Sequence, residues 1–136
     1  MPNPVRGSTV LILSTDAATS GLLSVLAELE GYVPIVGVTA DETPVQMIAR
    51  IRPQVALVDC DHVAACNDEF YALAREMNVR VVTFSPGRMR DEVRAFAEER
   101  DLPWFTLPID RSALASALRS ALSALLPLAL LTPFPH

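Results

Sequence analysis

The chain has 136 residues, about one domain's worth, with 51% apolar and 20% charged residues and a formal net charge of −5. That balance excludes intrinsic disorder and a low-complexity chain, and its acidic sign excludes a nucleic-acid-binding surface. All 11 basic residues are arginine, so a phosphate-loop lysine, a Schiff-base lysine and a Ser–Lys catalytic pair are excluded as well.

Thr9-Val10-Leu11-Ile12-Leu13 is a β-rich run without a polar break, the pattern of a strand buried on both faces of a parallel sheet. Ser14-Thr15-Asp16 and Thr19-Ser20 follow, a small polar stretch that holds good helix N-cap residues. Leu22, Leu23, Val25, Leu26 and Leu29 then recur at helical spacing, and Gly31 is placed to end that helix. Val33 to Val38 is the second apolar run. Thr43-Pro44 opens a second helix, with Val45, Ile48 and Ile51 on one face and Pro53 as its stop. Val55-Ala56-Leu57-Val58 is the third strand, and Asp59 closes it. Phe70, Leu73, Ala74 and Met77 mark a third helix, Val79 to Phe84 a fourth strand, and Ser85-Pro86-Gly87 a turn. Val93, Phe96 and Ala97 belong to a fourth helix that is half exposed and carries Arg88, Arg90 and Arg94 among its charges. Trp104-Phe105-Thr106-Leu107 is a short fifth strand. Leu114, Leu118, Leu122 and Leu125 form the stripe of a fifth helix, which Pro127 ends.

Strands alternating with helices through short connections define an α/β domain with a doubly wound parallel sheet. Five strands and five helices predict the order 2-1-3-4-5, with ligands at the carboxyl ends of strands 1 and 3. Those ends hold Ser14, Thr15, Asp16, Asp59, Cys60 and Asp61. The expected organisation is an extension over 1–7, the domain over 8–126, and a Pro-rich apolar tail or linker over 127–136. No run reaches the ~18 apolar residues that span a bilayer. Two cysteines, Cys60 and Cys66, without a secretory signal pattern point to a reducing, cytoplasmic setting.

With these elements in place, residues 8–126 resemble the receiver domain of bacterial two-component response regulators, in a degenerate, pseudo-receiver form. The resemblance rests on Glu30-Gly31-Tyr32, on Arg52-Pro53-Gln54-Val55-Ala56-Leu57-Val58-Asp59, and on Leu107-Pro108. It implies a flavodoxin-like fold and makes Asp59 the phospho-acceptor position. It makes Ser85 the hydroxyl that bonds the phosphoryl group, Trp104 the aromatic switch, and the peptide before Pro108 cis. A histidine kinase is the partner it implies. The departures lie in the chemistry. The acidic pair that holds Mg²⁺ falls on Ser14 and Thr15, with Asp16 one place late, and the phosphoryl-contacting lysine falls on Leu107.

Phosphoryl transfer to a carboxylate needs its gathering negative charge neutralised, which Mg²⁺ and a cation normally do. Mg²⁺ requires hard, charged oxygen ligands, which two hydroxyls do not supply. The expected reading is therefore non-catalytic, with no cofactor and no metal, and Mg²⁺ enters only if Asp16, Asp59 and Asp61 form a displaced carboxylate site. Asp59, Cys60, Asp61 and His62 with Cys66 also invite a zinc or thiol-nucleophile reading, but no second ligand set accompanies them. The hydroxyl-rich loop after the first strand invites a phosphate or flavin reading, against which an N-cap and turn suffice.

The favoured function is a signalling module that regulates partners, or a second copy of itself, through protein contacts. The expected surface is the fourth helix, fifth strand and fifth helix, with Trp104, Arg88 and Arg94 upon it. The alternatives are a working phospho-acceptor at Asp59 and a flavin or small-ligand module. Leu128 to Leu131 and Phe134, apolar residues beyond the last helix, favour a dimer across that same face.

Overall fold

The computed structural model describes residues 8–38, 42–62, 65 and 67–123. The predicted extension over 1–7, the tail over 127–136 with its dimer contact, and Cys66 lie outside the described residues. Among those described, β1 (Thr9–Leu13), β2 (Val33–Val36), β3 (Val55–Asp59) and β4 (Arg80–Phe84) alternate with α1 (Ala17–Leu29), α2 (Pro44–Ile51), α3 (Asp68–Glu76), α4 (Arg90–Glu99) and α5 (Arg111–Ser123). The strands pair in parallel in the order β2-β1-β3-β4. The apolar runs behave as their composition requires: β3 is buried along its whole length, and so is β1 after Thr9.

Alternation along the strands splits the core in two. Val10, Ile12, Leu57, Val82 and Phe84 face α1 and α5, where Leu114, Leu118 and Leu122 supply the predicted stripe. Leu11, Leu13, Ala56 and Val58 face the side of Met47, Ile48 and Phe70 from α2 and α3. Each helix that leads into the next strand is closed by left-handed backbone: Gly31 at φ 90°, Arg52 at 52°, Asn78 at 59° and Asp101 at 56°. The second helix opens at Thr43-Pro44 as expected, where Thr43 and Gln46 form a capping box, and at the start of α3 the Asn67 side chain accepts the Phe70 amide.

One expectation needs correction and another is met only in part. The helical spacing predicts Leu22, Val25 and Leu29 in the core, yet they are exposed at 44%, 58% and 53%. At ~100° per residue five such positions wrap too far round α1 to meet one sheet, and the buried face is Thr19, Ser20, Leu23 and Ala27. The fifth strand is reduced to one parallel bridge, Thr83 with Trp104, held by the Thr83 amide to the Pro103 carbonyl (3.0 Å) and the Phe105 amide to the Thr83 carbonyl (3.1 Å). Pro103 and Pro108 bracket this segment, and neither has an N–H to give to a ladder. Phe105 is nonetheless fixed, its ring stacked on Phe84 with centroids 5.1 Å apart. The segment takes the place beside β4 that the predicted order gives to strand 5. The Leu107–Pro108 bond is cis.

Candidate functional site

Parallel strands bring their carboxyl ends to one edge of the sheet, so the residues after β1, β3 and β4 form a common rim. Asp59, the last residue of β3, pairs in register with Phe84 and has no exposed surface. Its Oδ2 accepts the Ser14 hydroxyl (3.1 Å), the Thr15 hydroxyl (3.3 Å) and the Thr15 amide (3.4 Å), and its Oδ1 accepts the Asp61 amide (2.8 Å). Among the described residues, hydroxyls and amides thus reach this carboxylate where the resemblance would put acidic residues and a metal. They satisfy its lone pairs, as a buried carboxylate demands.

Asp16 is turned away from it. Its carboxylate caps α1, accepting the Thr19 amide (3.2 Å) and the Thr19 hydroxyl, while its own amide donates to the Ser14 hydroxyl oxygen (3.1 Å). Asp61 points elsewhere again. Its Oδ2 accepts the Ser85 hydroxyl (2.9 Å), and its Oδ1 accepts Nε of Arg88 (2.9 Å). The three carboxylates of the displaced-site idea therefore face three directions. No group of three or more Asp, Glu, His or Cys side chains converges on a common point among the described residues.

Ser85, 2% exposed, lies one residue beyond β4. Besides donating to Asp61, its oxygen accepts the amides of Gly87 (3.2 Å) and Arg88 (3.1 Å). Side-chain-to-backbone bonds of this kind hold a turn against helix formation. They correct the placement of Arg88, which stands in the loop before α4. Its guanidinium turns toward Asp61, and that carboxylate raises its pKa above the ordinary arginine value. Leu107, at the lysine position, packs against the core on the α1–α5 side of the sheet.

The polar groups next to Asp59 and Asp61 in this turn are buried. Cys60 is buried, its Sγ 3.1 Å from the Thr83 hydroxyl, and burial pushes its thiol pKa up, the opposite of what a nucleophile requires. Thr83, which sequence reading passed over, donates to the Val58 carbonyl (3.1 Å) and so joins β4 to β3 through a side chain. The signal for it is a hydroxyl between Val82 and Phe84, inside the apolar part of the strand. His62 is buried at 7% exposure.

On the expected partner face the cation beside Trp104 is Arg90, whose guanidinium carbon lies 5.0 Å from the ring centroid. Arg94 pairs instead with Asp91 on its own helix (3.3 Å). A groove runs past Arg90 and Trp104 between Pro103, Pro108 and the outer side of α5 at Ala113, Ala117 and Ser120.

No family model matches the chain, and none of the curated proteins does. Solved structures do. It is similar to the signal receiver domain of a modulated diguanylate cyclase from Desulfovibrio desulfuricans G20, with TM-score 0.69 and 20% identity, covering 87% of this chain and 95% of that one. It is also similar to a response regulator receiver protein from Burkholderia phymatum, with TM-score 0.68 and 13% identity over 85% of this chain and 95% of the other. The chemotaxis protein CheY4 of Vibrio cholerae matches with TM-score 0.66 and 13% identity over 84% and 98%. At such identities the likeness is one of architecture: this chain has the receiver fold of the response regulators.

Proposed function

We propose that the chain is a receiver-like signalling module that works through protein–protein contacts, with phosphoryl transfer weak or lost and no enzymatic activity of its own. The observation that carries this reading is the surround of Asp59. A carboxylate in the acceptor position keeps hydroxyl and amide donors, while Ser14 and Thr15 replace the metal-holding acids and Leu107 replaces the cation. An incoming phosphoryl group would add negative charge where hard, charged metal ligands and a lysine are missing. Partner binding falls to the face of α4, the Trp104 segment and α5, where Arg90 on Trp104 has the composition of an interface anchor. The partner is a protein or a second copy of the chain, and the setting is the cytoplasm. No helix among the described residues is long and apolar enough to cross a membrane. Incubation with Mg²⁺ and acetyl phosphate followed by intact mass tests the chemistry. The expected result is an unchanged mass; a gain of one phosphoryl group that is absent in Asp59→Asn would establish the working phospho-acceptor instead.

A further inference from the structure

Ten residues of α4 bury only Val93 and Ala97 fully, so the helix has little apolar anchorage of its own. Its attitude on the sheet therefore depends on what holds the loop before it, residues 85–89. That loop is tied at both ends of one carboxylate. Asp61 takes the Ser85 hydroxyl on one oxygen and Arg88 Nε on the other, both at 2.9 Å. Ser85 closes the loop on itself through the Gly87 and Arg88 amides. Arg88 then reaches into α4, its guanidinium carbon 5.8 Å from the centre of the Phe96 ring, which Arg100 covers at 3.8 Å. Asp61, which anchors all this, donates its own backbone amide to Asp59 Oδ1 (2.8 Å).

We propose that Arg88 is a positioning residue that, through Asp61 and Ser85, straps the loop before α4 to the turn after Asp59, so that α4 presents its outer face in one arrangement without a chemical signal at Asp59. The inference rests on the reading of α4 as a partner-facing element. It differs from the expectation for Arg88 as a partner contact, because its polar attachments to Asp61 and Ser85 and its ring contact to Phe96 all lie within its own chain. The Ser85 hydroxyl hydrogen, which the resemblance would send to a phosphoryl group, is already given to Asp61.

Hydrogen–deuterium exchange on the full chain, read along residues 85–99 and along β1 and β3, tests the strap. Arg88→Gln should raise exchange at Gly87, at residue 88 and through the first turn of α4 by at least threefold and leave β1 and β3 unchanged. Arg88→Lys, which keeps the charge but loses Nε, should fall between. Asp59→Asn should leave residues 85–99 within twofold of the parent. Unchanged exchange over 85–99 in Arg88→Gln, or an equal rise in β1 and β3, overturns the strap. A change in Asp59→Asn as large as that in Arg88→Gln overturns the independence from Asp59. A phosphoryl gain in the mass experiment would sink the proposed function while leaving the exchange result to stand or fall by itself.

Discussion

Asp59 and Asp61 stand two residues apart, yet the first has no exposed surface and is held by the Ser14 and Thr15 hydroxyls and by amides, whereas the side chain of the second is 42% exposed and takes an arginine. The difference follows from the cost of removing charge from water. Bringing a guanidinium to a fully buried carboxylate strips solvent from both ions, and the attraction regained often fails to cover that loss. At the rim both ions keep part of their hydration, so Arg88 meets Asp61 cheaply and the contact is weak in itself. Here the arginine stands at the rim. The same pair of carboxylates therefore separates hydroxyl and amide contacts in the pocket from a strap built on charge.

The largest expected effect removes the ground under both. Phe84 is fully buried, pairs in register with Asp59 and stacks on Phe105, fixing the segment that has only one bridge to the sheet. Phe84→Ala should cost about 3–5 kcal/mol, seen as a lowered urea midpoint. A loss under about 1 kcal/mol would mean that the carboxyl end of β4 is not the common support described. A finer test sets one serine against the other. Ser85→Ala leaves two loop amides and an Asp61 oxygen short of a partner at a site 2% exposed, for about 1–3 kcal/mol. Ser14→Ala removes one hydroxyl from Asp59, which keeps the Thr15 and Asp61 donors, and one acceptor from the half-exposed Asp16 amide, for about 0.5–1.5 kcal/mol. The reverse order would place the tighter network on the Asp59 side.

What could be read from residues alone divides along the same line. Strand and helix order, both caps of α2, the α5 stripe and the position of Asp59 follow from apolar period and from Pro, Thr and Gly at element ends, which are local signals. The exposed Leu22, Val25 and Leu29 could not be told from core because spacing shows which residues share a helix face, while the sheet decides how wide a face it covers. The fifth strand is legible in its place beside β4 but not in its extent: Trp104 to Leu107 has β-prone residues, but a longer ladder also needs N–H groups from its flanks, and prolines stand there. Arg88 was read as a helix surface residue because its partners, Asp61 and Ser85, lie 27 and 3 residues away and belong to another loop and a turn. Long-range polar pairing of this kind leaves no period in a sequence.

Salt offers the smallest effect and the sharpest contrast. The Asp61–Arg88 pair has side chains 42% and 37% exposed, so its direct contribution to global stability is that of a surface pair in a network, about 0.2–1 kcal/mol at low ionic strength. At 1 M NaCl the screening length falls to about 3 Å, close to the 2.9 Å contact itself, and most of that contribution should vanish. Urea unfolding of Arg88→Gln against the parent should therefore show a small difference at 20 mM NaCl that shrinks at 1 M. The Ser14→Ala difference should be the same at both, because the hydroxyl removed is neutral and its acceptor, Asp59, is buried away from the salt. Parallel salt dependence in the two variants would mean that the two carboxylates share one electrostatic network, and the division between hydroxyl and amide contacts in the pocket and a charged strap would fail.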